Sequence, residues 1–90
     1  MRDCGFAYMT LEFTFDPGQL IFRQGYPSDY AYLIVSGRVG IYMEDPDGTE
    51  HPVAILKDGQ IFGETGVLEE APRSASAKAI SRVVLHALSI

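Results

Sequence analysis

Within the stretch GETGVLEEAPRSASAK (Gly63–Lys78), Glu64 and Arg73 bracket a short helical segment, and their chemistries are opposite. Arg73 offers a planar fork of N–H donors with a permanent positive charge, matched to the oxygens of a phosphate. Glu64, once ionised, only accepts hydrogen bonds, so beside an anion it must read hydroxyl or amine donors. Between them Thr65 is expected to cap a short helix over GVLEE, which Pro72 cannot continue, with Gly66 at the first helical position. Glycine costs about 1 kcal/mol relative to alanine in a helix interior, but it lacks the Cβ that would keep a ligand off the backbone. The first amides of a helix have no internal partner and carry the positive end of the dipole, so the backbone near Gly66 can donate to the same anion. A phosphate and a hydroxyl close together on one compact molecule suggest a ribose phosphate. The roles are matched here by chemistry, since the sequence sets no distance between Glu64 and Arg73.

An all-β frame is expected to position these groups. Pro17-Gly18, Gly25 with Pro27, Ser36-Gly37, Pro46-Asp47-Gly48, Asp58-Gly59, Gly63 and Pro72 punctuate the chain at roughly ten-residue spacing, the sequence form of a sandwich or barrel. Between them lie LEFTF (Leu11–Phe15), LIFRQ (Leu20–Gln24), YAYLIVS (Tyr30–Ser36), RVGIYME (Arg38–Glu44), HPVAILK (His51–Lys57), SASAKAI (Ser74–Ile80) and VVLHALS (Val83–Ser89). SASAKAI alternates small polar residues with alanine, as a strand with one tightly packed face would. The expected fold is an eight-stranded jelly-roll barrel with a short phosphate-binding helix. DPDG (Asp45–Gly48) reads as a hairpin connection, and Ser36-Gly37 as a tight reversal between its flanking strands.

Composition narrows the partners. The 90 residues form one domain, residues 1–90, and a chain this short buries only about two-thirds of its unfolded surface. With a net charge of -5 and seven scattered Lys and Arg, a generic nucleic-acid surface is not expected, so any bound anion must meet a local site. No apolar run approaches the ~20 residues of a spanning helix, so no membrane segment is expected. The single Cys4 excludes an internal disulfide framework, and Met1–Thr10 lacks the features of a signal peptide, which makes a cytoplasmic setting the default.

The chain from about Phe13 to Ile90 resembles the cyclic nucleotide-binding domain family, found in catabolite-activator-type regulators, kinase regulatory subunits and cyclic-nucleotide-gated channels. The likeness lies in FDPGQLIFRQGYPSDYAYLIVSGRVGIY (Phe15–Tyr42), AILKDGQIFGETGVLEEAPRSASAKA (Ala54–Ala79) and the last apolar strand. Its most specific part is a phosphate-binding cassette: FGE at Phe62–Glu64, a short helix, then PRSA at Pro72–Ala75. The resemblance implies that Glu64 binds the ribose 2′-hydroxyl and Arg73 the cyclic phosphate. The backbone near Gly66 and Ala75 would donate to phosphate oxygens, and Ser74 would sit beside phosphate and base. The implied ligand-binding set is Phe62, Gly63, Glu64, Thr65, Gly66, Arg73, Ser74 and Ala75, with cAMP or cGMP as ligand and no further cofactor or metal. Family members commonly carry alanine where this chain has Gly66, a mild change. They also usually continue into helices that cover the base, and the expectation is that Ile90 ends this chain without that lid. An effector domain or partner chain is implied but not identified, and a homodimer is compatible with the likeness.

The other singled-out residues have structural expectations. Glu69 and Glu70 are assigned to a solvated helix face, Asp29 and Asp58 to turns, and His51 and His86 to surface or packed strand positions. Tyr26, Tyr30 and Tyr32 are assigned to core and edge packing rather than to a base-stacking platform. Two His and one Cys without close ligand spacing do not suggest a metal enzyme. The cassette supplies phosphate grip and hydroxyl recognition, with no base or nucleophile poised for hydrolysis, which favours a non-enzymatic sensor. The alternatives are a degenerate domain of the same fold serving as a protein-interaction module, and a small-molecule enzyme on a β-barrel.

Overall fold

The computed structural model describes residues 11–88. The expectations for Met1–Thr10, Cys4 among them, and for Ser89 and Ile90 lie outside the described residues. The order is β1 (Leu11–Phe15), β2 (Leu20–Phe22), β3 (Ala31–Ser36), β4 (Val39–Glu44), β5 (Glu50–Leu56), β6 (Ile61–Phe62), α1 (Glu64–Glu69), β7 (Ser76–Ala79) and β8 (Val83–Leu88). Two four-stranded sheets form, in the orders β1-β8-β3-β6 and β2-β7-β4-β5. The pairs nest: β4 with β5, β3 with β6, β2 with β7 and β1 with β8, all antiparallel. This is one long folded hairpin wound into two sheets, the expected jelly roll. Its geometry carries the β2–β3 and β6–β7 connections to the same end of the roll, and the second of these holds α1.

Seven of the eight strands coincide with the runs read from sequence. The eighth, β6, has two residues, too few to show a period, and is defined by Tyr32 opposite Phe62 and Leu33 opposite Ile61. Strand β8 alternates buried Val83, Leu85 and Ala87 with half-buried neighbours, as a period-two strand over a core must. Ile34, Val39, Val83 and Leu85 are fully buried between the sheets. Ala77 and Ala79 of β7 are buried as well, so the small side chains of SASAKAI do mark a closely packed face. Strand β5 is almost wholly exposed and lies at a sheet edge, where a proline such as Pro52 is tolerated.

The Asp45–Gly48 hairpin forms as expected, with Gly48 donating to the Asp45 carbonyl at 2.8 Å and holding φ at 90°. The Thr49 amide, which donates to the Asp47 carboxylate at 2.9 Å, holds that carboxyl below its ordinary value. Ser36-Gly37 is not a reversal between paired strands. It is a corner where the chain leaves one sheet for the other, since β3 and β4 belong to different sheets. Gly37 has a φ of 105°, and a Cβ there would lie within 2.9 Å of Val83, so backbone and space both require glycine. Asp58 is a turn residue that also accepts from the Gly37 amide at 2.9 Å.

Among the described residues no helix is long and apolar enough to cross a membrane.

Candidate functional site

A cavity of about 240 Å³ opens between the two sheets at the α1 end. Phe22, Ile41 and Leu56 line it from one sheet, Ile61 and Phe62 from the other, and Gly63, Glu64, Gly66, Arg73, Ser74 and Ala75 complete the wall. The nested topology produces this convergence: the β6–β7 connection leaves one sheet and enters the other, so its residues must pass over the gap between them.

Arg73 is buried, with only 4% of its surface exposed. Its Nη1 donates to the Gly63 carbonyl at 3.0 Å, and its Nη2 to the Tyr30 carbonyl at 2.6 Å and to Asp29 Oδ1 at 3.2 Å. The guanidinium carbon lies 4.0 Å from the centre of the Phe22 ring, within cation–π range. Its Nε is buried and has no hydrogen-bond partner among the described residues. Leaving such a donor unsatisfied costs about 1–3 kcal/mol, and more for a charged group. The arginine is therefore fixed by its two terminal nitrogens while the donor nearest the chain is unmatched.

Backbone pairing fixes the arginine's place in the chain. Gly25 donates to the Arg73 carbonyl and the Arg73 amide donates to the Tyr26 carbonyl, both at 2.8 Å. The sequence expectation that Asp29 is only a turn residue is thus incomplete. Asp29 accepts from its neighbour Tyr30 at 2.8 Å, as a turn residue does, and also provides the carboxylate facing Arg73. Tyr30 contributes a carbonyl rather than its ring. No sequence signal singles out either role, because both depend on a loop that returns to the cassette across more than forty residues of chain.

The helix begins two residues earlier than expected. Its N-cap is Gly63, with φ 80° and ψ 1°, and not Thr65, which falls inside the first turn. Gly63 makes no side-chain cap, so the first amides, those of Glu64, Thr65 and Gly66, are free of intrahelical partners by geometry. Glycine is required at Gly63 twice over: by its positive φ and because a Cβ would lie 2.6 Å from Arg73 Nη1. Gly66 is the third helical residue; it lines the cavity, while the side on which a Cβ would project is filled. A Cβ there would meet the Ser28 side chain, with Ser28 Cβ at 3.0 Å and the Ala71 carbonyl oxygen at 3.2 Å.

The helix closes with Glu70 in the left-handed region at φ 53°. The Glu70 amide reaches the Val67 carbonyl at 3.4 Å and the Ala71 amide the Gly66 carbonyl at 2.9 Å, the two bonds of a Schellman motif without its usual glycine. Glu69 and Glu70 are exposed, as expected. Glu64 is half-buried and lines the cavity, and among the described residues no hydrogen bond or ion pair engages its carboxylate. Ser74 is exposed at the rim and Ala75 half-buried below it.

Aromatic rings floor the site. Tyr32 stacks on Phe62 with centroids 5.4 Å apart and on Phe22 at 6.1 Å. Burial, then the nearby Asp29 carboxylate, pushes the Tyr32 phenol above its ordinary value, partly opposed by Arg73. Tyr32 and Tyr30 are packing residues as expected, while Tyr26 is 58% exposed. His86 lies 3.1 Å from Glu12 across paired strands, and His51 2.6 Å from Asp45 beside the hairpin, both away from the cavity.

The family model described as the cyclic nucleotide-binding domain matches residues 12–89. The chain belongs to that family. Within the cyclic nucleotide-binding domain family, the chain is 38% identical over 69 residues to the CRP-like cAMP-activated global transcriptional regulator of Mycobacterium tuberculosis. That match covers 77% of this chain and 31% of the regulator. It is 41% identical over 69 residues to the cAMP-dependent protein kinase regulatory subunit of Emericella nidulans, covering 77% of this chain and 16% of the subunit. The chain thus spans less than a third of the length of these curated relatives. Among solved structures, the cAMP-bound form of the EAL enzyme Bd1971 superposes with a TM-score of 0.83 at 38% identity, over 88% of this chain and 21% of that one. The cGMP-bound form of the same enzyme superposes equally well, at 0.83 and 37% identity. The FGE and PRSA segments singled out in the sequence contribute Phe62–Glu64 and Arg73–Ala75 to the cavity wall.

Proposed function

We propose that residues 1–90 act as a single cyclic nucleotide-binding sensor domain that takes cAMP or cGMP and does not alter it. The observation that carries this is the buried Arg73 guanidinium, its Nε unmatched, in the wall of a cavity shared with the carboxylate of Glu64. Arg73 neutralises the cyclic phosphate and the first-turn amides of α1 donate to its oxygens. Glu64 accepts from the ribose 2′-hydroxyl. Phe62, Gly63, Thr65, Gly66, Ser74 and Ala75 form the rest of the contact set, with Ser74 at the rim nearest the base. The relatives are named as cAMP-activated and cAMP-dependent regulators, which supports a regulatory rather than a catalytic role. A reducing, cytoplasmic setting and an effector on another segment or chain complete the proposal.

Titration calorimetry with cAMP, cGMP and 5′-AMP tests it. Heat from at least one cyclic nucleotide, with no product formed, is the expected result. The 2′-deoxy analogue of that nucleotide should bind at least ~10-fold more weakly, about 1.4 kcal/mol, for want of the hydroxyl that Glu64 reads. Silence with both cyclic nucleotides would leave a protein-interaction module of the same fold as the better account.

A further inference from the structure

We propose that Ser28 is a positioning residue for the anion site, acting by filling the space that a side chain at position 66 would occupy. The inference rests on the cyclic nucleotide reading above and concerns what sets the affinity of that site. Gly66 has ordinary helical backbone, so conformation does not require glycine there. Space does. A Cβ on Gly66 would run into Ser28 Oγ, with Ser28 Cβ 3.0 Å away.

The hydroxyl that occupies this place is bonded, not merely adjacent. Ser28 Oγ donates to the Ala71 carbonyl at 2.6 Å, while the Ala71 amide donates to the Gly66 carbonyl at 2.9 Å. Ala71 is thereby held from both sides just before Pro72 and Arg73. On the other strand of this interlock, Ser28 is followed by Asp29 and Tyr30, the two residues that accept from Arg73 Nη2. Gly25 and Tyr26, just before it, pair with the Arg73 backbone.

Ser28 therefore sits within a loop in which Gly25, Tyr26, Asp29 and Tyr30 grip Arg73, and it reaches the end of α1 through Ala71. It does not line the cavity. Its influence on a bound phosphate passes through the position of Arg73 and of the first-turn amides. A side chain added at Gly66 must push Ser28 outward and carry Asp29 and Tyr30 with it.

The test is a cycle of Gly66→Ala, Ser28→Gly and the double variant, each titrated with cAMP and cGMP and melted without ligand. Gly66→Ala alone is expected to weaken cyclic nucleotide binding by about 10-fold or more and to lower the melting temperature, against its better helix propensity. In the Ser28→Gly background the same replacement should cost markedly less affinity than in wild type and raise the melting temperature, because the propensity gain is no longer opposed. Ser28→Ala, which keeps the Cβ, should rescue only in part. Equal losses from Gly66→Ala in both backgrounds would overturn the proposal. If the wild-type chain binds neither nucleotide, the function proposed above fails, and exchange of the Arg73 Nε–H in ligand-free protein still decides the role of Ser28. Faster exchange in Gly66→Ala, restored in the double variant, supports it; the same rate in all three removes it.

Discussion

Arg73→Lys keeps the positive charge and removes the division of donors that the site depends on. A guanidinium has five N–H donors, and here contacts from Nη1 and Nη2 to Gly63, Tyr30 and Asp29 engage three of them. Two are left over, the second Nη1–H and Nε–H, and Nε is buried and unmatched. One arginine can therefore hold the scaffold and still offer a donor to a phosphate. A lysine has a single donor centre and must choose, and it also gives up the planar stacking on Phe22 at 4.0 Å. Losing one charge-assisted bond to the ligand costs about 1.5–3 kcal/mol. At 1.4 kcal/mol per decade, that predicts a dissociation constant raised by roughly 10- to 100-fold. The assay is calorimetric titration of wild type and Arg73→Lys at two salt concentrations, with circular dichroism to confirm that both are folded. Charge alone survives the substitution, so a purely Coulombic site would bind the variant nearly as well as wild type. Affinities within 3-fold of each other, in folded proteins, would refute the argument from donor geometry.

Three further outcomes follow from the cassette and its floor. Gly63→Ala forces a side chain into the left-handed region, about 1–2 kcal/mol, and its Cβ 2.6 Å from Arg73 Nη1 adds displacement of the guanidinium. The melting temperature should fall by at least about 4–8 °C, and a change of a degree or two would contradict the assignment. Glu70→Gly relieves the left-handed residue at φ 53° and should raise stability by up to about 1 kcal/mol in urea unfolding, with no gain counting against strain there. Tyr32 has its phenol raised above 10.0, so the folded chain keeps a proton that the unfolded chain releases. That stabilisation is intact below pH 10 and declines as pH rises towards the folded value. Tyr32→Phe should therefore lose less stability than wild type between about pH 9 and 11, as urea midpoints at matched pH would reveal.

Local chemistry made most of the frame legible. Alternation placed β1, β3, β4 and β8 within a residue or two, because each carries a period that a half-buried strand imposes. Strand β6 escaped because two residues have no period, and Ser36-Gly37 was misread because a corner between sheets uses the same turn residues as a hairpin. At the site, Glu64 and Arg73 were readable by type and order. Their surroundings were not. Gly66 is readable as a point of close approach and does line the cavity, but its type does not name Ser28, which packs on the side where a Cβ would project. Thr65 looked like a cap because capping preference is a side-chain rule, whereas Gly63 caps through a backbone conformation open to glycine. Asp29 and Tyr30 gave no sign of their part because contacts spanning forty-odd residues leave no local signature.

The position of the cavity makes a ligand part of this small core rather than an addition to it. Phe22 and Ile41 belong to one sheet and Ile61 and Phe62 to the other, so a molecule seated among them braces the open end of the roll. Near that opening the apolar surface is incompletely covered: Ile61 is 47% and Leu68 59% exposed. A domain of this length is typically stable by only about 5–15 kcal/mol. A ligand at 100 times its dissociation constant adds about 2.7 kcal/mol, a large share of that total. The buried, unmatched Arg73 Nε contributes in the same direction, since an oxygen that accepts from it removes a penalty carried by the ligand-free fold. On the proposed function, binding and folding are therefore linked through one side chain. Ligand-dependent protection should be largest at the residues that hold Arg73, the loop from Gly25 to Tyr30 and the helix start at Gly63, rather than at the Asp45–Gly48 hairpin, which makes no contact with the cavity.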